Sequence, residues 1–321
     1  MSKSKMLDIG SNMSFRNRDR AEYSMENIKE MVKPGDKVVK IDIAKLEFAP
    51  DEWNFYPPLD EEEFEKLINS ILEHGLLHPI VVRKDHDKHI ILSGHNRVRA
   101  YKTIGEEIRR LQRGEGGSYF TLENQDIISS EYEQIMAVIK EDITDYEAQE
   151  IIIDANYVQR QLSQKLVTRS VIEKYKIIQE KRKVDSDGAY KSIKTREIVA
   201  RDFNLSGRHI DRYKRLERLH EEILQLFYEG KISLELASKI AGLDGGLQKH
   251  LVEYYLKDLP KCSAKTAGQI KQELTVKDLD ELFQEQALPQ NQITLKIRQQ
   301  GKTSKIVIDD EETMERILSI L

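Results

Sequence analysis

The sequence predicts an α+β chain: a mixed strand-and-helix domain first, an all-α middle built around a helix-turn-helix, and a small ββα element at the end. Three observations predict it. Strand-length runs that alternate or are wholly apolar stand at 38–46, 79–83, 89–92 and 135–139, all before residue 140. From Tyr146 to about residue 257 the apolar residues recur at helical spacing instead. Two further strand-like runs, Ile293–Ile297 and Lys305–Ile308, then precede a helical stretch at Thr313–Leu321.

Taken in order, residues 1–37 are polar and aperiodic, carry Arg16, Arg18 and Arg20, and read as a flexible tail. Val38–Leu46 alternates as one strand, with Val39, Ile41 and Ile43 on one face. Asp60 is placed to cap a helix, and Glu63 completes a capping box. Phe64, Leu67, Ile68, Ile71 and Leu72 give that helix its apolar stripe, and Gly75 stops it. Pro79–Arg83 and His89–Leu92, joined by a polar turn at Asp85–Lys88, read as a hairpin. Ser93-Gly94 then opens a helix directly. Residues 105–133, with Gly114, Gly116 and Gly117 among charges, read as an insertion. Ile135–Ile139 reads as a strand, Tyr146–Tyr157 as a helix, Leu162–Lys183 as a long charged helix and 183–194 as a polar break. Helices follow around Ile223–Phe227, Leu234–Ala241 and Leu247–Leu256, then a loop at 257–267.

These breaks give a tail at 1–37, a first domain at 38–158, a helical domain at 159–257, a linker at 258–277 and a C-terminal element at 278–321. The strand pair and helix at 293–321 are too few residues to bury a core alone, so dimerisation is expected to supply the missing surface.

Composition excludes several classes. No apolar run approaches the ~18–20 residues of a membrane span, and the first residues lack a signal-peptide core. A soluble, cytoplasmic chain is expected. The single cysteine, Cys262, excludes an intramolecular disulfide and a Cys-rich zinc site.

The segment Thr195–Leu216 carries the clearest functional pattern. Val199, Ala200 and Phe203 form the inner face of a first helix, Asn204 suits a left-handed turn, and Leu205 plugs the corner. Ser206 is a good N-cap for a second helix, with Ile210 and Tyr213 turned back toward the first. Gly207, Arg208, Asp211, Arg212 and Arg215 are left outward, on the face a recognition helix presents to the DNA major groove. Charge supports this reading over a plain pair of core helices. Residues 159–218 hold 17 Lys and Arg against 8 Asp and Glu, a local net of +9 in a chain of net −5, which leaves −14 elsewhere. A basic segment in an acidic chain is the footprint of a phosphate-binding module. The expected DNA-facing set is Thr195, Ser206, Gly207, Arg208, His209, Arg212 and Arg215. Arg208 and Arg212 are the readers of base edges.

A second constellation lies at Ser93-Gly94-His95-Asn96-Arg97-Val98-Arg99-Ala100. A helix N-terminus offers unpaired amides and a favourable dipole to an anion, glycine lets a ligand approach the backbone, and arginine clamps phosphate oxygens. A tight turn before a solvated helix shares the pattern. Leu59–Ala100, with its capped helix, Gly75-Leu76-Leu77-His78-Pro79-Ile80-Val81-Val82, the hairpin and the Gly94 box, resembles the N-terminal domain of the ParB partition family. Asn156-Tyr157-Val158-Gln159-Arg160 matches a further box of that family, and Glu229-Gly230-Lys231-Ile232-Ser233 its next helical unit. The boxes stand in the family's order across roughly residues 38–257.

The resemblance implies a ParB/sulfiredoxin-like first domain that binds CTP with Mg²⁺. It also implies double-stranded DNA held by the helix-turn-helix, a homodimer that closes as a clamp, and a ParA-type ATPase partner. Such a chain would serve plasmid or chromosome segregation and lie on the nucleoid or plasmid. Gly94, His95, Asn96, Arg97 and Arg99 would meet the triphosphate. Gly75, Leu76, Pro79 and Ile80 would wall the base, and Asn156 and Arg160 would complete the phosphate and metal end, with Asn156 on the metal. Two positions depart from the family: His95 and Ala155 stand where it carries carboxylates, so CTP hydrolysis is expected to be weak at most. A transcriptional regulator of the same fold, without a partition motor, is the competing reading, separated from the first by whether a ParA-type ATPase is encoded nearby. Sulfiredoxin chemistry needs a cysteine in the Gly-His loop. Here that loop is Ser93-Gly94-His95.

Overall fold

The structure, a computed structural model, describes residues 38–115, 129–159, 161–184, 193–287, 293–299 and 302–308. The tail with its three arginines, Arg160, the acidic run at 309–312 and the expected closing helix lie outside the described residues. The described residues form two compact units, which divide between Ile210 and Asp211.

The first unit is organised by a mixed sheet of β1 (Val38–Asp42), β2 (Leu46–Phe48), β3 (Ile80–Asp85), β4 (Lys88–Ser93) and β5 (Gln134–Lys140), in the spatial order β1-β5-β3-β4-β2. The single strand expected at 38–46 is therefore two. The Asp42 carboxylate accepts the Ala44 N–H at 2.9 Å and tightens Ile43–Lys45 into a 3-10 turn. β1 then pairs antiparallel with β5, and β2 pairs parallel with β4. These are opposite edges of the sheet. Four residues reach at most about 14 Å, whereas five flat strands set their edges about 19 Å apart. The sheet must therefore curl.

Four helices complete this domain core: α1 (Glu61–His74), α2 (His95–Gln112), α3 (Asp145–Gln159) and α4 (Gln164–Val184). Asp60 caps α1 as expected, accepting the Glu63 N–H at 2.8 Å, and Gly75 ends it at φ 72°. Ile80, Val82 and Ile91 join one core with Phe64, Ile68, Val98 and Ile104. Val81 and Leu92 join another with Ala148 and Ile152 of α3. Burial on both faces is why β3 and β4 read as unbroken apolar runs. Residues 105–112 belong to α2 and not to an insertion, because Ile104 and Ile108 continue the buried stripe of Val98 and Tyr101.

Beyond these lie α5 (Thr195–Asp202) and α6 (Gly207–Arg215), whose middle holds the boundary between the units. The second unit contains α7 (Glu221–Tyr228), α8 (Leu234–Ile240), α9 (Gly245–His250), a wide turn at Leu251–Tyr255, α10 (Ala264–Gln269), α11 (Val276–Ala287), and a hairpin of β6 (Ile293–Gln299) with β7 (Lys302–Ile308). The loop and linker expected over 257–277 hold structure instead. Ser263 caps α10, and Leu259, Ala267 and Ile270 are buried. The sequence reading also missed α11, although Thr275 and Asp278 form a reciprocal cap at 2.7 and 3.3 Å, a legible start signal. Leu279 and Phe283 bury its inner face, and the Phe283 ring stacks on Tyr255 at 4.8 Å.

Candidate functional site

A cleft of about 430 Å³ opens in the first unit where the Gly94–Arg99 turn meets Ala155-Asn156 of α3 and the loop between β2 and α1. Gly94 creates the turn. It sits at φ 100°, and a Cβ there would lie 2.5 Å from Cγ2 of the buried Ile80. Gly94, the N-cap of α2, offers no side chain to cap the helix. The N-terminus of this 18-residue helix, at the cleft, is the positive end of the helix dipole.

The side chains of this turn are already oriented. Arg97 Nη1 donates to the carbonyls of His78 and Pro79 at 2.6 and 2.8 Å. Burial pushes its pKa down to about 10, which leaves it cationic at neutral pH. Arg99 Nη1 donates to Asn96 Oδ1 at 3.0 Å, and its guanidinium lies 4.6 Å from the centre of the Phe64 ring. Asn96 Oδ1 also accepts the Leu59 N–H at 3.4 Å. His95 stacks on Phe48 at 5.9 Å. Asn156 Nδ2 donates to the Ile152 carbonyl at 2.8 Å, which commits the amino end to the backbone and leaves Oδ1 as the acceptor.

The structure divides the expected cleft residues into two groups. Gly94, His95, Asn96, Arg97, Arg99 and Asn156 line the cleft together, although about 60 residues separate the two segments. Gly75, Leu76, Pro79 and Ile80 do not line it. Gly75 ends α1, Leu76 packs on the core, Pro79 holds Arg97 through its carbonyl, and Ile80 fills the space beneath Gly94. Their effect reaches the cleft through other residues.

Sequence reasoning missed the third wall, the loop at 49–58, from which Asp51, Asn54 and Tyr56 face the cleft. It is firmly seated. Tyr56 shares a 2.7 Å hydrogen bond with Ser170 of α4, and Arg169 lies 4.2 Å from the centre of the Phe55 ring. The available signal was a concentration of Trp53, Phe55, Tyr56 and Pro57-Pro58 between a strand and a helix, including the only tryptophan of the chain.

Behind the cleft, α3 is tied to α4 and α5 by a buried ion network. Lys174, with its side chain 3% exposed, meets Asp154 at 2.9 Å, Glu150 at 3.3 Å and Asp202 at 3.4 Å, and Lys181 joins Glu150. Burial alone would lower the Lys174 pKa, but Asp154, Asp202 and Glu150 outweigh it and hold the ammonium charged. Tyr157, one residue past Asn156, packs edge-on against Phe203 at 4.4 Å. The helix that carries Asn156 thus also carries the contacts that seat the first helix of the helix-turn-helix.

That motif has the expected backbone. Asn204 takes φ 49°, and Val199, Ala200, Phe203 and Ile210 are buried. Tyr213 is buried too, with its ring 6.5 Å from Phe227 of α7. Ser206 Oγ lies 2.8 Å from His209 Nδ1 and accepts the His209 N–H at 3.4 Å. The expected DNA-facing residues occupy different settings. Arg208, His209 and Arg215 are exposed. Arg212 is half-buried beside Glu235 at 3.6 Å. Two do not stand outward as expected. Thr195 is buried and accepts a hydrogen bond from Arg182 at 3.0 Å, so its hydroxyl seats α5 on α4. Gly207 lies against Glu197, whose Oε1 would be 2.8 Å from a Cβ there, so the glycine serves helix contact.

A family model, the ParB N-terminal domain, matches residues 29–113, a span that includes the Gly94–Arg99 turn. Stage 0 sporulation protein J of Bacillus subtilis strain 168 is 26% identical over 332 aligned positions, covering 99% of this chain and 98% of its own length. Residues 29–113 are thus similar to the ParB N-terminal domain, and the whole chain is similar in length and sequence to that relative. A probable chromosome-partitioning protein ParB of Campylobacter jejuni is 26% identical over 207 residues, 64% of this chain and 60% of that ParB. Among solved structures, the C-terminally truncated ParB of Caulobacter crescentus complexed to the centromeric parS site covers 71% of this chain and 99% of its own, at 22% identity and a TM-score of 0.42. The ParB N-terminal match stops before α3, so the Asn156 side of the cleft and the helix-turn-helix rest on this chain's own geometry.

Proposed function

We propose that this chain is a site-specific, double-stranded-DNA-binding partition protein of the ParB type, gated by CTP and acting as a dimeric clamp. One observation carries the nucleotide half of the reading. Two segments far apart in sequence, Gly94–Arg99 and Ala155-Asn156, meet in one cleft with a helix N-terminus and two pre-oriented arginines. That is the chemistry of a phosphate site. In this reading residues 38–158 form the nucleotide-binding domain, and α5 and α6 present Arg208, His209 and Arg215 to DNA. Arg212 reaches DNA by exchanging Glu235 for a phosphate or base edge. Mg²⁺ accompanies the triphosphate near Asn156, and a ParA-type ATPase is the motor partner. Arg160 completes the phosphate end. His95 and Ala155 supply no carboxylate to orient water, so turnover is weak at most and binding alone sets the switch.

The C-terminal hairpin fits a dimerisation role. Its seven paired positions join only β6 and β7 among the described residues. A lone two-stranded hairpin is marginal in water, and a second copy supplies the face it lacks. No helix among the described residues is long and apolar enough to cross a membrane.

The test is nucleotide binding by the full-length chain with and without its DNA site, comparing CTP with ATP, GTP and UTP. CTP preference that strengthens with DNA is expected, together with increased cross-linking of single-cysteine variants near the N-terminal tail in a Cys262→Ser background. Equal affinity for all four nucleotides, or cross-linking indifferent to nucleotide, sinks the switch.

A further inference from the structure

We infer that Asp51 supplies the protein's carboxylate to the divalent cation of a nucleotide bound in this cleft, with Asn156 Oδ1 as a second oxygen donor. The inference rests on the nucleotide reading above and adds to it a residue from the loop that the sequence patterns did not mark.

The donor set carries the argument. Asp51 is the sole carboxylate among the described residues that line the cleft. The rest of the described polar lining is cationic or neutral: Arg97, Arg99 and His95, the hydroxyls of Tyr56 and Ser93, and amides from Asn54, Asn96 and Asn156. Of those amides, Asn96 already spends its oxygen on Arg99 and the Leu59 N–H. Asn156 does the opposite, donating its amino group to Ile152 and keeping its oxygen as the acceptor. A carboxylate and an oriented amide oxygen are hard donors, and Mg²⁺ takes one or two such protein ligands together with substrate phosphates and water. Two positions where a partition-family chain carries carboxylates are His95 and Ala155, and neither can contribute one. Asp51 restores a negative group to the same cleft from a different element.

The position of Asp51 is also fixed in advance. The N–H groups of Trp53 and Asn54 both donate to the Pro50 carbonyl at 2.9 Å, which closes a turn around Asp51. The Tyr56–Ser170 hydrogen bond and the Arg169–Phe55 contact pin that turn to α4. Among the described residues no group of three or more His, Cys, Asp or Glu is placed to hold a metal ion. A single carboxylate with an amide oxygen leaves most of the coordination sphere to phosphates and water.

The experiment uses the full-length protein and two measurements. Mn²⁺ binding is followed by electron paramagnetic resonance with and without CTP, and CTP affinity is measured by calorimetry in Mg²⁺ and in EDTA. The wild type should bind Mn²⁺ only when CTP is present. Asp51→Asn should weaken Mn²⁺ binding to the CTP complex by about tenfold or more and remove most of the Mg²⁺ enhancement of CTP affinity. In EDTA its CTP affinity should match the wild type. Asp51→Glu should recover part of the Mn²⁺ binding, and Glu52→Gln, one residue away and outside the cleft lining, should behave as the wild type. Mn²⁺ binding by Asp51→Asn equal to the wild type overturns the inference while leaving the nucleotide reading intact, as does wild-type CTP binding that ignores Mg²⁺. Wild-type protein that binds no CTP in either buffer overturns both.

Discussion

Two helix starts in this chain use the same residue types in opposite ways. At the start of α2 the arginines are held before any ligand arrives: Arg97 by two backbone carbonyls, Arg99 by Asn96 and the Phe64 ring. They sit in a concave cleft and suit a compact anion, because little side-chain entropy remains to be lost on binding. At the start of α6, Arg208 and His209 stand exposed on a convex helix, with the exposed Ser206 hydrogen-bonded to His209. An exposed arginine beside further hydrogen-bonding side chains on a convex helix suits an extended polyanion, whose many phosphates are engaged one by one. Arginine spacing alone does not separate these tasks. What separates them is whether backbone and ring partners hold each guanidinium in advance.

The largest expected effect tests the support that both regions share. Lys174→Met leaves Glu150, Asp154 and Asp202 without their buried cation. Urea denaturation should show a loss of about 3–5 kcal/mol near neutral pH. Desolvation holds Asp154 and Asp202 above the usual carboxylate value of 3.8. Groups with a raised folded pKa contribute stability that is present in acid and lost as pH rises through that pKa. The deficit of the variant should therefore shrink on acidification. A loss below about 1 kcal/mol would place the network among interactions that hardly matter.

Next in size is Gly94→Ala, which forces a side chain into a left-handed conformation and into Ile80. A loss of about 2–3 kcal/mol is expected, with CTP binding abolished and DNA binding retained. Arg208→Ala should do the reverse, relaxing discrimination between DNA sites by about 1–3 kcal/mol while CTP affinity holds. Binding assays on both variants, with both ligands, decide the comparison. If either variant damages both functions equally, the two helix starts are not separate devices. If Arg208→Ala weakens all DNA sequences alike, that residue touches phosphate only.

The smallest effect serves as a control in the second unit. Hydrogen bonds from His250 and Tyr255 hold the Asp280 carboxylate below the usual value of 3.8. A depressed carboxylate contributes stability that is present above its unfolded pKa and lost as pH falls through its folded one. Thermal melts of Asp280→Asn should lose that acid dependence, with CTP and DNA binding unchanged at neutral pH. A variant that melts with the wild-type pH profile would show that Asp280 contributes nothing to it.

Local chemistry was the legible part of this chain. The Asp60 cap, the Gly75 stop, the positive φ of Asn204 and the buried runs of β3 and β4 all follow from neighbouring residues. The Gly94 turn followed from the same kind of evidence. Other features did not. The strand at 38–46 divides because the Asp42 side chain captures a nearby N–H, a local competition that alternation does not register. Thr195 and Gly207 carried the composition of a DNA face and are spent on Arg182 and Glu197. The loop at 49–58 has no period to read, and only the packing of its aromatics on α4 shows that it walls the cleft.

By itself, then, the sequence determined the element types, the order of the boxes, the helix-turn-helix backbone and the positive charge that surrounds it, because caps, turns, period and charge are properties of residues close together in the chain. Only the tertiary structure decided which arginines are held and which stand exposed, that Asn156 shares a cleft with Gly94, and that Asp51 lines the same cleft. Those outcomes depend on contacts between segments tens of residues apart. There the curl of the sheet and the packing of α3 against α4, and not local preference, set which side chains meet.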